Sequence, residues 1–458
     1  MQATPQHQTR MRWQAMLAYA IVAAVPIFSV SQKTLIPLSA ILSVLAASKQ
    51  HHAKTEWTCI KTIQPSLTWI APGLAFTALA SRNAFNDIGT GLITSSSDLS
   101  ASLTRACLYT AIPLILLFAG RRLLLNCADI GRSILAGLQI KMLACLALTP
   151  ILTGEVARKG YILQIPTLEK FVTTWTGTYF LLSAALACFL LWQHANDEHK
   201  QPLDFTLISA STLQAFYSAA ALNNLTCTVA GLVLLVISFR IIPIKLSILK
   251  GALTTKRASL VRQKYILVFI LITGIIGSST FGHHLKATLS TIAEILRIEH
   301  LWTRNDRLEF FVQGAKRLLS HPPTADYLVN GPPYFQRPIC FKDAEVTFTY
   351  GDSCHNYWHS ILWDSLRNSG YIGLLLGIII VISLAISLYK FAQARKPLLA
   401  LAICCCLLIV FTTPIVEVGA GEILPLMLVI TVINSVNPYQ HDQGSKLKIC
   451  PKPDSDVA

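Results

Sequence analysis

A histidine-containing segment near the C-terminal third of the chain has the residue types needed for proton transfer. His355 is followed by Asn356 and Tyr357, and His359 lies four residues further on. An imidazole titrates near neutral pH, so His355 is predicted to be a general base that takes a proton from a hydroxyl group. Asn356, Tyr357 and His359 are predicted to support it. The two histidines also have the i, i+4 spacing of a metal pair, but the glutamate of a zincin motif is absent and no third ligand is evident, so no metal is predicted.

Arg307 is predicted to contact an anion. The sequence from Asn305 to Ser320 has apolar residues at helical spacing and predicts an amphipathic helix with one apolar face, formed by Leu308, Phe311, Val312, Ala315, Leu318 and Leu319. Two prolines directly after Ser320 and His321 are expected to stop this helix. Arg307 falls in the first turn, where a cation is unfavourable for the helix dipole, so helix stability does not account for it. An ordinary solvated arginine is the alternative interpretation.

A second basic group occupies a short connection between residues 154 and 170. Arg158, Lys159 and Lys170 lie there. Arginine binds phosphate in a bidentate manner and lysine binds it as a point charge, so these residues are predicted to bind a phosphate group. The alternative interpretation is that the positive charges of this connection are tolerated by the fold and bind no ligand.

The elements that must position these residues are membrane helices. Of the 458 residues, 53% are hydrophobic and only 13% are charged, whereas soluble domains have roughly 25% charged residues. Repeated apolar runs predict an all-α polytopic membrane protein, because a helix satisfies its own backbone in lipid. About twelve transmembrane helices are predicted, near residues 14–31, 34–48, 66–81, 102–120, 132–153, 171–192, 204–221, 225–239, 265–281, 370–389, 398–413 and 422–437. The net charge of +15 is dispersed rather than clustered, so no nucleic-acid partner is predicted.

The distribution of basic residues predicts the orientation. Most Lys and Arg residues lie in the segments that are cytoplasmic if both termini are inside. The predicted organisation is transmembrane helices 1–9 (1–281), one large, partly helical periplasmic loop with the candidate site (282–369), transmembrane helices 10–12 (370–437) and a cytoplasmic tail (438–458). The loop contains two cysteines, Cys340 and Cys354. In an oxidising compartment these cysteines are a possible disulfide, although spacing alone does not supply the required geometry.

Several short motifs in this loop resemble the bacterial O-antigen ligase and polymerase superfamily, whose members are multispan inner-membrane proteins. The motifs are Asp306-Arg307-Leu308 at the head of the loop helix, Ser320-His321-Pro322 at its end, His355-Asn356, and Asn368-Ser369-Gly370-Tyr371-Ile372-Gly373 at the entrance of the next span. Thr176-Gly177-Thr178 resembles the family's small-residue start of a span. One departure is Val229, which occupies the place of an arginine that family members often have.

The resemblance implies a lipid-dependent glycosyltransferase. It implies that a glycan moves from undecaprenyl diphosphate to a lipid A–core acceptor at the periplasmic face of the inner membrane, without metal or cofactor and with inversion. The implied catalytic residues are His355 and Arg307, and the implied diphosphate-binding residues are Arg158, Lys159 and Lys170. A polysaccharide polymerase, which uses a carrier-linked repeat unit as acceptor, is the alternative. A membrane transporter or flippase is the second alternative.

Overall fold

The computed structural model describes residues 5–28, 41, 44, 127–152, 176–195, 202–222, 225–241, 306–321, 323–336, 339–340, 354–355, 358, 360–412 and 420–434. The helices are α1 (Pro5–Phe28), α2 (Cys127–Leu152), α3 (Thr176–Ala195), α4 (Pro202–Leu222), α5 (Leu225–Ile241), α6 (Asp306–Ser320), α7 (Pro333–Gln336), α8 (Ile361–Gln393), α9 (Pro397–Thr412) and α10 (Ala420–Asn434). A 3-10 turn covers Ala325–Tyr327, and two short strands are β1 (Ile339–Cys340) and β2 (Cys354–His355).

The described part of the chain is all-α apart from the two-residue ladder of β1 and β2, which confirms the predicted fold class at this level. Helices lie at the predicted spans near 14–31, 132–153, 171–192, 204–221, 225–239, 370–389, 398–413 and 422–437. The predicted spans 66–81, 102–120 and 265–281, and all but two residues of 34–48, lie outside the described residues.

Helix α3 is the centre of the bundle. It packs against α2, α4, α5, α9 and α10. Nearly every side chain from Gly177 to Trp192 is buried. The helix is apolar on all sides, which is typical of a helix surrounded by other helices. Its first residue is Thr176, where the motif analysis expects a span to begin.

Among the described helices, two are long and apolar enough by length and composition to cross a bilayer. These are Gly177–Ala195 and Ile361–Gln393. Shorter apolar helical stretches are Met16–Ile27, Val229–Ser238 and Pro397–Thr412.

A buried charge network joins α1, α2 and α4. Arg132 donates from Nε to Asp204 Oδ1 at 2.5 Å and from Nη2 to Oδ2 at 2.9 Å. It also donates from Nη1 to Asp129 Oδ1 at 2.6 Å, and the Tyr19 hydroxyl donates to Asp129 Oδ2 at 2.8 Å. Arg132 belongs to the basic residues that indicate the cytoplasmic side, but here it is buried and neutralised by two carboxylates. The charge of Arg132 therefore joins helices through its bonds to Asp129 and Asp204.

We expect Asp204→Asn to destabilise the bundle. The change leaves the buried Arg132 guanidinium with one carboxylate in place of two, and a hydrogen bond to a charged group contributes about 1.5–3 kcal/mol. The thermal unfolding midpoint of the purified protein measures the loss. Asp326→Asn, which removes an exposed carboxylate, is the matched control and should leave the midpoint unchanged. Equal midpoints for both variants would contradict the structural role of the network.

Helix α8 is divided by a kink at Ser369 and Gly370. Gly370 has φ 62° and ψ −155°, and Ser369 has φ −128° and ψ 16°. The part before the kink carries the polar residues Asp364, Arg367 and Asn368, whereas the part after it is apolar. The predicted boundary between the loop and the tenth span, residues 369 and 370, therefore coincides with the kink at which the two segments of α8 meet.

Candidate functional site

The candidate site is built on a small aromatic core that is separate from the helix bundle. Phe310 of α6, Phe335 of α7, Trp358 and Trp363 are buried together with Leu366 of α8. The rings of Phe335 and Trp358 have centroids 4.6 Å apart, and those of Phe311 and Trp363 are 5.3 Å apart. Aromatic pairs at such distances stabilise a cluster beyond the area that they bury. This core therefore holds α6, α7 and the start of α8 as one unit, which we call the loop unit (residues 306–321, 323–336, 358 and 360–374).

Trp358 is anchored to α6, α7 and α8. Its backbone N–H donates to Asp364 Oδ1 at 3.0 Å, and its indole Nε1 donates to the backbone carbonyl of Phe335 at 3.2 Å. The guanidinium carbon of Arg317 lies 5.0 Å from the centroid of the indole, within the range of a cation–π contact. Three elements therefore fix the position of one buried side chain.

Arg317 links the end of α6 to the rest of the loop unit. Besides its contact with Trp358, it donates from Nη1 to the carbonyl of Tyr334 at 2.8 Å. His321 stacks on the Tyr334 ring with centroids 4.0 Å apart, and its Nδ1 lies 2.9 Å from the carbonyl of Arg317. The imidazole thus satisfies a carbonyl at the C-terminus of α6, where orphan carbonyls need a donor.

Tyr334 also contacts the first turn after the kink in α8. Its hydroxyl lies 3.0 Å from the hydroxyl of Tyr371. Burial, the hydrogen bond with Tyr371 and the nearby phenols raise the pKa of Tyr334 above its usual range. Tyr334 is therefore a neutral hydrogen-bonding group at physiological pH and not a proton acceptor for catalysis.

The loop segment from Tyr327 to Gly331 packs onto the kink of α8. The backbone N–H of Ile372 donates to the carbonyl of Leu328 at 3.0 Å. A side chain at Gly370 would meet the carbonyls of Tyr327, Leu328 and Asn330, the last two at 2.9 and 2.8 Å from the Cβ position. The missing side chain of Gly370 is therefore what allows this approach. Gln336 adds a hydrogen bond of 2.7 Å to the carbonyl of Arg367.

His355 lies on β2, three residues before Trp358. Strand β2 pairs antiparallel with β1, and His355 is opposite Ile339. Helix α8 begins only at Ile361, and Ser360 before it is extended, with φ −148° and ψ 132°. The backbone of β2 forms its hydrogen bonds with β1, which ends 14 positions earlier in the chain. The conformation of this segment is therefore decided by a distant partner and not by local helical spacing.

Arg307 lies in the first turn of α6, as the sequence predicts. The predicted apolar face is confirmed in part, because Phe311, Ala315 and Leu318 pack against the aromatic core. Phe310 is fully buried, whereas Leu319 is 86% exposed. Gly314 is the reason, because a Cβ there would lie 2.7 Å from Trp363, so the indole packs directly against the helix backbone. A helix face that buries a glycine has no apolar signal at that position in the sequence.

Several predicted site residues lie outside the described residues. These are Arg158, Lys159, Lys170, Asn356, Tyr357 and His359. The structure describes the backbone, but not the side chains, of four other predicted site residues, namely Arg307, His355, Cys340 and Cys354. The structure thus brings the helix headed by Arg307 to the same aromatic core as Trp358, which lies three residues after His355. The roles of these side chains and of the basic group at 158–170 stay predictions.

The site contains two polar residues that the sequence analysis did not single out, Arg317 and Asp364. Arg317 is in the last turn of α6, where a cation is favourable for the helix dipole, so its sequence position indicates only helix stability. Asp364 is buried and accepts the backbone N–H of Trp358. The local sequence indicates Asp364 only as an acidic residue in the first turn of α8, where it is favourable for the helix dipole. Within the described ranges, no group of three or more His, Cys, Asp or Glu residues is placed to hold a metal ion.

No protein-family model matches the chain, and no curated protein is significantly similar to it.

We expect Trp358→Phe to reduce the function of the loop unit more than its stability. Phenylalanine keeps an aromatic ring in the core but removes the bond from Nε1 to Phe335, which contributes about 0.5–1.5 kcal/mol. Because His355 is tied to the core through Trp358, its placement should change. The measurements are the unfolding midpoint and the rate of the transfer reaction proposed below. Trp13→Phe, in which the native indole is 66% exposed, is the matched control; equal effects in both variants would contradict this role.

Proposed function

We propose that this protein is a membrane-embedded glycosyltransferase of the O-antigen ligase type. It transfers a glycan from undecaprenyl diphosphate to a lipid A–core acceptor at the periplasmic face of the bacterial inner membrane. The observation that carries the proposal is the loop unit. Three of the motifs that resemble the superfamily support it: the helix headed by Arg307 and the helix broken at Gly370 share one aromatic core, and His355 lies three residues before Trp358 of that core.

The surface of α8 supports the membrane part of the proposal. After the kink, exposed apolar side chains recur at Ile372, Leu375, Ile378, Ile382 and Ile386. They follow each other at three- and four-residue steps and therefore form one stripe along the helix. A contiguous exposed apolar surface is unfavourable in water and is typical of contact with another apolar phase.

The length of α8 supports the same conclusion. The segment after the kink, residues 371–393, is helical and corresponds to roughly 34 Å at a rise of 1.5 Å per residue. The hydrocarbon layer is about 30 Å thick. The part after Gly370 is therefore long enough to cross it with some tilt. The part before the kink folds back against it, because a Cβ at Gly377 would lie 3.5 Å from the Cα of Leu362.

The proposed reaction is a single displacement. A hydroxyl of the acceptor attacks the anomeric carbon of the donor glycan, and His355 takes the hydroxyl proton. The bond between the anomeric carbon and the diphosphate oxygen breaks, and its electron pair leaves with undecaprenyl diphosphate. Cations stabilise the negative charge that develops on the leaving group, which assigns this role to Arg307 and to the group Arg158, Lys159 and Lys170. One displacement inverts the anomeric configuration.

Reconstitution with defined substrates tests this function. Purified protein in lipid vesicles is given a carrier-linked glycan and either lipid A–core or a second carrier-linked repeat unit. Transfer to lipid A–core without metal supports the ligase, whereas elongation of the carrier-linked glycan establishes the polymerase instead. In cells lacking the gene, the ligase predicts lipopolysaccharide without O-antigen together with accumulated carrier-linked polymer. The polymerase predicts single repeat units on the core.

A transporter is the second candidate, and a buried cation favours it. Lys141 is 2% exposed in α2, and its Nζ donates to the hydroxyl of Tyr179 in α3 at 2.7 Å. Ionisable residues inside membrane bundles often mark transport pathways. Glycan transfer by vesicles with no ion gradient would exclude a pure transporter. Substrate movement without any new glycosidic bond would exclude the transferase.

A further inference from the structure

The two cysteines of the predicted outer loop are directly opposite each other in the β ladder. Strands β1 and β2 are antiparallel, and their register pairs Cys340 with Cys354. Opposed residues in an antiparallel pair have Cα atoms about 4.5–5.5 Å apart. A disulfide requires Cα atoms about 4.4–6.8 Å apart, so the register meets the main geometric condition for a bond. The spacing of 14 positions in the sequence does not by itself provide this condition.

The ladder needs an additional link to be stable. Each strand has two residues. An isolated two-stranded ladder is marginal in water even when it is longer. A covalent bond between its strands restricts the unfolded chain and so favours the closed form.

We propose that Cys340 and Cys354 form a disulfide that positions His355. The proposal rests on the proposed function for the placement of the loop in an oxidising compartment. Two thiols lose two protons and two electrons as the S–S bond forms, and the electrons reduce the disulfide of a thiol–disulfide oxidoreductase to its dithiol. His355 directly follows Cys354, and Trp358 lies three residues further on. The histidine is thus held between a covalent bond on one side and the hydrogen bonds of Trp358 on the other. Cys340 and Cys354 are positioning residues in this proposal.

The bond is measured without any activity assay. The full-length protein is purified from membranes after acid quenching and alkylation, digested, and analysed by mass spectrometry before and after reduction. We expect one peptide pair joined through Cys340 and Cys354 that separates on reduction. Alkylation of both cysteines in the unreduced wild-type protein would overturn the proposal. This readout does not use the transfer activity, so a missing disulfide and a missing glycan transfer are distinguished from each other.

The effect on His355 is measured with serine variants. Cys340→Ser and Cys354→Ser should each lower kcat about tenfold or more with little change in KM, and the double variant should be no worse than either, because all three lack the same bond. Dithiothreitol should lower wild-type kcat to the same level, and reoxidation should restore it, whereas the double variant should not respond. Cys404→Ser, in α9, is the matched control and should behave as wild type. Wild-type kcat in the double variant would overturn the positioning role while leaving the disulfide established.

Discussion

Replacing His355 with alanine is expected to abolish glycan transfer while the protein still inserts and folds. General-base catalysis contributes about 10²–10⁴-fold to a rate, and alanine removes the acceptor of the hydroxyl proton entirely. The loss should fall on kcat, because His355 acts when the proton moves and not when the donor binds. The measurement is initial rate against substrate concentration in reconstituted vesicles, with the unfolding midpoint measured in parallel.

The pH profile gives a second signature of the same group. A protonated imidazole cannot accept a proton, so the wild-type rate should fall at acid pH. The residual rate of His355→Ala should lack this acid limb. A wild-type profile that keeps its full rate at acid pH would remove the histidine from the role of general base.

His359→Ala is the matched control, since it removes an imidazole four residues away in the same segment. It is expected to be milder than His355→Ala. If it is the more damaging variant, the base has been assigned to the wrong histidine.

Arg307→Ala should also abolish transfer, because Arg307 is proposed to stabilise the leaving diphosphate. Full activity in that variant would exclude Arg307 from the mechanism.

Gly370→Ala is expected to cause the largest loss of stability among the substitutions considered. The backbone of Gly370, at φ 62° and ψ −155°, lies in a region that is almost restricted to glycine, and a side chain there costs about 1–3 kcal/mol. The added Cβ would also crowd the carbonyls of Tyr327, Leu328 and Asn330. Overpacking of this kind costs a further 1–3 kcal/mol, approximately.

The consequence of that loss should be local before it is global. The loop segment would be displaced from the kink, and the hydrogen bond from Ile372 to Leu328 would break. We expect a lower unfolding midpoint, faster proteolysis of the loop unit and reduced transfer. Limited proteolysis followed by mass spectrometry measures the change directly.

Gly377→Ala is the matched control because it lies in the same helix. There the closest contact of an added Cβ is the Cδ2 atom of Leu362 at 2.9 Å, which is the end of a flexible side chain. Alanine also favours a helix by about 1 kcal/mol relative to glycine. This variant should therefore fold nearly as the wild type does. If the two substitutions are equally tolerated, the contact between the loop and the kink does not hold the site together.

The loop helix illustrates what periodicity predicts and what it misses. The predicted limits, Asn305 to Ser320, differ by one residue from the observed Asp306–Ser320. Limits of this kind depend on local signals such as a break-forming proline pair. The buried face was predicted less well, since Leu319 is exposed and Phe310 is fully buried. The partner surface, and in particular Trp363 against Gly314, decides which face of the helix turns inward.

The amino-acid sequence alone determined the all-α class, the positions of most of the described helices and the residue types available for chemistry, because apolar periodicity and charge are local properties. Only the tertiary structure decided that Arg317 lies against Trp358, that Cys340 lies opposite Cys354 and that Gly370 receives a loop from 40 positions earlier in the chain. These contacts join residues that are distant in sequence, and they form because burying the aromatic core and satisfying its backbone groups stabilise one arrangement over the alternatives.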